Sequence, residues 1–546
     1  MIAATGPTRT NSGMLALAVA CVTAIAALLH SGGMHDVIAW DEANYALAAE
    51  QGIVANALQL GELSQLRHRH APLMCYAITV STALFGSDEW AIRLPAIVLC
   101  ALSAGLLVII GHDLSRGSTF PTRLFAGTTA GLILATSPAS IELAGVIQPH
   151  SFVVFFLLLN LWTLCRYLRD QQRRDAMLFG LSLAGQFVSM EYGPVILCYA
   201  LAALAIARPA LIFGEDFRFT SSPRTMLRAL LRIPRTLHRD IKVAGILCLI
   251  ATAAIWPAGV FLLGIPFNFV FFLLYAANGH PVLFRGEMQL HVPKYAYAYW
   301  YWTDYPLLLI AMVIALLLIA VWAWRDRKPV ALTLAVFTFG LTASVHGAHI
   351  MQLCKSIFMI PAIALAGPLA VVWCKERITW QPHSRLALVP ALALALAATV
   401  GGRITPMSRE ADPNQRLVAM AQTIADNAAP NDHVLAQGWP MVRYLLHRKL
   451  NRPDIEVERY DPRNFEIDRL GDRMNHREFA WALTIGPTTA AHQNCKVLTQ
   501  LRTSWSVAAD QSLPGREYRV YKAPTFESVS SAQIPANSLE KEHVTP

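Results

Sequence analysis

The chain has 546 residues, of which 55% are hydrophobic and only 15% charged, and its mean hydropathy is +0.41. That balance excludes an ordinary soluble protein and marks an integral membrane protein. The net charge of +9 does not argue for nucleic-acid binding, because the basic residues fall in loops between apolar runs.

Apolar stretches of roughly 17 to 25 residues place membrane helices near 13–30, 91–111, 124–140, 151–167, 176–190, 194–213, 243–263, 306–324, 330–345, 356–373 and 386–400. The predicted fold is a polytopic α-helical membrane protein of about eleven spans. The first span has no convincing cleavage site after it and reads as a retained helix. The apolar stretch 265–277 is short and ends in "NGHP", so it reads as interfacial or re-entrant. Of nine cysteines, Cys21, Cys100, Cys165, Cys198, Cys248 and Cys374 lie in apolar runs and the polar C-terminal part holds only Cys495. Neither a disulfide framework nor a CxxC metal site is legible.

Basic residues cluster at alternate loops: Arg116 and Arg123; Arg166, Arg169, Arg173 and Arg174; the stretch from Arg218 to Lys242; Arg325, Arg327 and Lys328; Lys375 and Arg377. The positive-inside rule makes these cytoplasmic. The opposite, outer side then receives the first loop (31–90), the turns at Ile147 and Ser189, the aromatic stretch 278–305, and everything after Gly401. The expected divisions are 1–402 for the membrane domain and 403–524 for an extracytoplasmic α/β domain. In the latter, "PNQRLVAMAQTIADNA" and "PMVRYLLHRKL" read as helices and "HVLAQGW", "IEVERY" and "EYRVYKA" as strands. The tail 525–546 lacks an apolar period and is expected to be disordered.

The first outer loop opens with "IAWDEANYALAAEQG". Two adjacent carboxylates, Asp41 and Glu42, sit where the chain leaves the lipid. A bland account exists, since loops between spans are polar and Trp40 suits an interfacial anchor. Against it, the costly polar groups gather on the outer side. The loop continues with helical spacing that sets Tyr45, Ala48, Ala49 and Ile53 on one stripe, then the cluster "RHRHAP", then a second short helix, "LMCYAITVSTALFG".

"WDEANYALAAE" followed by "HAPLMCYAITVSTALFGSDEWAIRLPAIV" resembles the first outer loop and second span of the C-class (GT-C) membrane glycosyltransferases, in particular the protein O-mannosyltransferases and the lipid A aminoarabinose transferases. In that family an Asp-Glu pair follows the first span, a Pro-containing short helix comes next, and an "FG…E…RLP" phrase opens the second span. Here these are Asp41-Glu42, Pro72, and Phe85-Gly86 with Glu89 and Arg93-Leu94-Pro95. The resemblance implies a sugar carried on polyprenyl phosphate, transferred with inversion to a hydroxyl of a lipid, glycan or protein. It implies Asp41 as the general base, with Glu42 orienting the acceptor or the loop. Such a base contributes typically about 10²- to 10⁴-fold, and the departing phosphate needs cationic or N–H donors in a site shielded from water.

The donor contacts expected from the residues are Arg67, His68, Arg69 and His70, with Tyr45 lining the same loop. The alternative for "RHRH" is contact with anionic headgroups. The lysine that aminoarabinose transferases carry before the Pro is replaced by His70, and the Arg-Pro that often opens the fourth span is replaced by Gln148-Pro149, with His150 as the nearest substitute. Arg285 and Lys294, in a stretch dense in Tyr and Trp, form a second choice for the phosphate, beside the reading of that stretch as an interfacial belt. His349 and Lys355 complete the candidates. His346 and His349 are three apart, a metal-binding spacing with no further ligand nearby. A divalent cation between Asp41 or Glu42 and the donor phosphate is chemically reasonable, although the resemblance does not imply it. The competing function classes are a transporter or flippase, which tends to show internal repeats that are not evident here, and a scaffold whose C-terminal domain binds glycan. The expected location is the inner membrane, with lipid-linked donor and acceptor as partners and no nucleic acid.

Overall fold

The computed structural model describes residues 9–34, 40–59, 71–190, 192–214, 232–233, 235–278, 282–284, 287–289, 293–347, 357–377, 411–437, 439–460, 473–474, 478–487, 496–512 and 516–524. The chain divides into two compact units, Met1–Val37 with Asn44–Arg409, and Ile38–Ala43 with Glu410–Pro546.

The first unit is helical. Its first elements are α1 (Arg9–His30), α2 (Trp40–Glu50, whose residues up to Ala43 the division assigns to the second unit), α3 (Gly52–Leu58), α4 (Leu73–Phe85) and α5 (Glu89–Leu114). They are followed by α6 (Phe120–Thr136), α7 (Pro138–Ala144), α8 (His150–Asp170), α9 (Arg173–Ser189), α10 (Gly193–Ala207), α11 (Arg239–Ile255), α12 (Pro257–Phe261) and α13 (Gly264–Asn278). A short antiparallel pair, β1 (Val282–Phe284) and β2 (Glu287–Gln289), precedes α14 (Ala296–Asp304), α15 (Pro306–Asp326), α16 (Pro329–Gly347) and α17 (Ile360–Arg377). A helix lies at each expected span except 386–400, which falls outside the described residues. Among the described residues, 5 helices are long and apolar enough to cross a membrane, or up to 6 if α6 and α7, bent by 60°, are one span. The count falls short of the expected spans because 386–400 lies outside the described residues, because helices such as α9 are 17 residues long, and because proline breaks others. Pro138 and Pro257 start new helices at Ser137 and Trp256, and Pro209 follows α10 directly.

Lipid tails are as apolar as leucine, so close helix packing in this unit depends on small residues. A Cβ on Gly127 of α6 would run into the backbone carbonyl of Val108 on α5, and one on Gly180 of α9 would meet the carbonyl of Ala244 on α11. Polar pairs supplement this packing: Ser182 of α9 donates to Asn160 Oδ1 of α8 at 2.9 Å in the buried interior.

One end of this bundle carries the alternate basic turns, held by ion pairs. Asp113 receives Arg116 at 2.5 Å, Arg169 at 3.6 Å and the Trp162 indole N–H at 2.9 Å. Arg169 also pairs with Asp170 at 2.9 Å, and Arg166 with the fully buried Asp175 at 3.1 Å. Trp373 of α17 donates to Asp326 at the end of α15, and Lys375 to Thr122 at the start of α6.

The second unit holds α18 (Ala411–Asn427), β3 (His433–Gln437), α19 (Trp439–Tyr444), β4 (Glu456–Tyr460), β5 (Trp481–Pro487), α20 (Lys496–Ser504), β6 (Ser506–Asp510) and β7 (Arg516–Lys522). The sheet order is β4-β3-β5-β7-β6, with β3 parallel to β4 and β5, and β7 antiparallel to β5 and β6. β5, α20 and β6 have no counterpart in the sequence reading. β5 is the central strand, and "WALTIGP" lacks the period-2 alternation of a strand with one wet face because Trp481, Ala482, Leu483, Thr484 and Ile485 are all buried. A sheet core forms from Leu435, Phe479, Ala482, Val497, Leu501 and Tyr521.

Candidate active site

Asp41 and Glu42 occupy the first turn of α2, the end of a helix where exposed N–H groups favour negative charge. Glu42 is wholly buried. The side chain of Asp41 lies outside the described residues. Tyr45, Ala48 and Ala49 of the expected stripe are buried, whereas Ile53 is 44% exposed. The stripe ends because α2 ends: Gly52 adopts φ +83°, a left-handed conformation suited to glycine, and redirects the chain into α3.

The far end of α2 is anchored by side chains from two other elements. Helix termini leave carbonyls without intrahelical donors. Here Asn56 Nδ2 donates to the Ala48 carbonyl at 2.7 Å and to Gly52 at 2.8 Å, and Thr79 Oγ1 of α4 donates to the Ala49 carbonyl at 2.7 Å. α4 is tied in turn by Ser81, which donates to the Ala91 carbonyl of α5 at 2.6 Å, and by Tyr76, which donates to the Ile255 carbonyl at the end of α11 at 2.9 Å. Arg93, from the "RLP" phrase, is fully buried and its guanidinium lies 3.4 Å from the Met34 carbonyl, just before the Asp-Glu segment. The sequence reading gave Arg93 no role; its signal was an arginine inside an apolar span, which is costly unless paired.

The other candidates are dispersed. His150, the first residue of α8, is 2% exposed and stacks on Phe358 with ring centroids 5.1 Å apart, and Phe358 stacks on Tyr192 at 4.8 Å. Lys294 is exposed just before α14. The aromatic stretch divides: Tyr297 and Tyr301 are buried, while Tyr295 and Trp302 are 54% and 61% exposed. His346 Nδ1 lies 2.8 Å from the Thr342 carbonyl, and its ring meets Tyr297 edge-on at 5.4 Å. Arg67, His68, Arg69, His70, Arg285, His349 and Lys355 lie outside the described residues. Among the described residues there is no group of three or more His, Cys, Asp or Glu positioned to hold a metal ion.

Two further buried polar side chains were not singled out by the sequence. His30, at the end of α1, is buried with Nε2 at 3.2 Å from the Ala135 carbonyl and 3.3 Å from Ser140 Oγ, across the bend between α6 and α7. Trp256, at the break between α11 and α12, is 1% exposed. Only contacts across the fold pick these out, since each stands in an unremarkable apolar context.

The first unit is a many-helix apolar bundle, and an Asp-Glu pair opens the helix that follows α1. Residues 69–220 match the family model for dolichyl-phosphate-mannose-protein mannosyltransferase. The fold is similar to that of ArnT from Cupriavidus metallidurans bound to undecaprenyl phosphate, with a TM-score of 0.58 and 13% identity over 93% of this chain and 98% of that one. It is also similar to the oligosaccharyltransferase of Archaeoglobus fulgidus in the apo form, with a TM-score of 0.54 and 12% identity over 87% of this chain and 69% of that one. No curated protein sequence matches the chain. The chain thus resembles the protein O-mannosyltransferase and ArnT group in family pattern over residues 69–220 and in fold over nearly its whole length.

Proposed function

We propose that this protein is a membrane glycosyltransferase that takes a sugar from a polyprenyl-phosphate donor and transfers it, with inversion, to a hydroxyl of a lipid, glycan or protein. The observation that carries the reading is the Asp41-Glu42 pair in the first turn of α2, on a chain with the C-class fold. In this reading Asp41 accepts the proton of the incoming hydroxyl as its oxygen attacks the anomeric carbon. The bond to the phosphate breaks, and the phosphate leaves with the electron pair. Glu42, buried beside it in sequence, holds the loop or the acceptor.

Cationic donors for the leaving phosphate come from Arg67, His68, Arg69 and His70, with Arg285, Lys294 and Lys355 as alternatives and His150, His349 and Tyr45 as further lining. The reaction takes place on the extracytoplasmic side of the inner membrane, where the positive-inside rule puts the first loop and the domain 403–524. The tail 525–546 takes no part.

The test compares envelope glycans and lipids by mass spectrometry from cells with the wild-type protein, with Asp41→Asn at equal abundance, and without the protein. A product larger by one sugar, present only with wild type, is expected. Identical profiles in all three would refute the proposal, and a profile unchanged by Asp41→Asn alone would remove Asp41 as the base.

A further inference from the structure

α9 and α11 lie backbone to backbone, since a Cβ on Gly180 would meet the Ala244 carbonyl. Their starts adjoin at the basic end of the bundle: the Tyr167 hydroxyl, near the end of α8 and just before α9, lies 3.2 Å from His238 Nδ1, the residue that precedes α11. The first turns of α9 and α11, with Arg173 and Arg174 on one and Arg239 on the other, therefore share one surface.

The carboxylates near that surface are already taken. Asp175 is wholly buried against Arg166 at 3.1 Å, Asp170 holds Arg169 at 2.9 Å, and Asp240 faces His238 at 3.8 Å. Arg173, Arg235 and Arg239 are exposed with no acid partner among the described residues, and Arg174, its side chain 68% exposed, comes only within 4.0 Å of Asp175. Arginines in the first turn of a helix oppose its macrodipole, so they do not serve the stability of α9 and α11 themselves. One turn further on, the exposed surface becomes apolar. Leu178 and Leu181 follow Arg174 at four and seven residues on α9, and Ile246 and Leu249 follow Lys242 at the same spacings on α11, so an exposed apolar stripe runs from a cation on each helix. Beside the seam Gly245 is exposed, and a Cβ there would meet nothing within 4 Å, which leaves a notch between the stripes.

We propose that this seam binds an anionic phospholipid, with the phosphate among Arg173, Arg174 and Arg239 and the acyl chains along the two stripes. Charge and apolar surface together select the ligand. A soluble anion would use the arginines and leave the stripes bare, whereas a phospholipid presents a phosphate and hydrocarbon at the same spacing as the seam. The guanidinium fork matches phosphate oxygens in pairs, and basic pockets between membrane helices are suited to anionic headgroups. The proposal is independent of the transfer reaction.

The test is native mass spectrometry of the purified full-length protein released from nanodiscs of equal phosphatidylglycerol and phosphatidylcholine. The wild type should retain phosphatidylglycerol over phosphatidylcholine by about tenfold or more, because each cation near such a headgroup contributes about fivefold. Arg173→Gln/Arg174→Gln/Arg239→Gln should bring the two lipids close to even. Arg325→Gln/Arg327→Gln/Lys328→Gln, which removes the same charge from the exposed turn between α15 and α16, should keep the preference. If the first triple variant does not insert, Arg174→Gln alone, expected to lose about fivefold, reads the same site. Equal retention of the two lipids by the wild type overturns the proposal whatever the variants do. An unchanged preference in the seam variants overturns it as well, and equal loss in both triple variants would reduce the effect to net charge and remove the site.

Discussion

Thr79 sits on α4, outside any catalytic motif, yet its hydroxyl donates to the Ala49 carbonyl of α2 at 2.7 Å while sharing its proton with Cys75 of its own helix at 2.9 Å. Thr79→Val keeps shape and volume close and removes only that donor. The Ala49 carbonyl belongs to a 3%-exposed residue, and an acceptor left unmatched there costs about 1–3 kcal/mol. Every 1.4 kcal/mol is a factor of about ten in an equilibrium, so hydrogen exchange of the peptide 43–50 should quicken by about 5- to 150-fold. Asp41 is eight residues from Ala49 on the same helix, about 12 Å at 1.5 Å per residue. A small tilt at the anchored end therefore displaces the carboxylate proposed as the base, and a displacement of about 1 Å costs on the order of 10²-fold in rate. The expected outcome is a fall in kcat of about 10- to 100-fold with the donor KM nearly unchanged, and Thr79→Ser restoring most of it. If Thr79→Val matched wild type in both exchange and turnover, the anchoring of α2 through α4 would be wrong.

At the basic end of the bundle, Asp113→Ala should destabilise by about 1–3 kcal/mol, since it leaves the Trp162 N–H without its acceptor while Arg169 keeps its pair with Asp170; a detergent-solubilised unfolding midpoint equal to wild type would contradict this. In the second unit, hydrogen bonds from Ser512 and Arg519 hold the Asp510 carboxyl below its usual range, and Arg452 does the same for Asp454. A carboxylate with a depressed folded value stabilises above its unfolded value of about 3.9 and loses that contribution as pH falls through the folded one. Pepsin should therefore cleave near 506–522 of the full-length protein increasingly as pH drops below about 4. Asp510→Asn should flatten that dependence, and a variant with the same profile as wild type would rule out Asp510 as its source.

Hydropathy was enough to place a helix at each expected span among the described residues, because lipid imposes long apolar segments, but the stretch 278–305, read as an aromatic loop, holds α14 (Ala296–Asp304). The "WDE" and "RLP" phrases were legible for the same reason: polar groups at a membrane boundary are costly and therefore stand out. Local sequence also decided α18, β3, β4 and β7, where amphipathic spacing and half-buried strands leave a period to read. β5 escaped because its burial erases that period, and the end of α2 escaped because one left-handed glycine overrides a helical pattern that otherwise runs on. Only the tertiary structure decided what holds the Asp-Glu helix in place. Thr79 meets Ala49 across 30 residues and Tyr76 meets Ile255 across 179. No periodicity encodes such pairings, because they arise when separate helices pack and each freed carbonyl takes whatever donor the packing brings within reach.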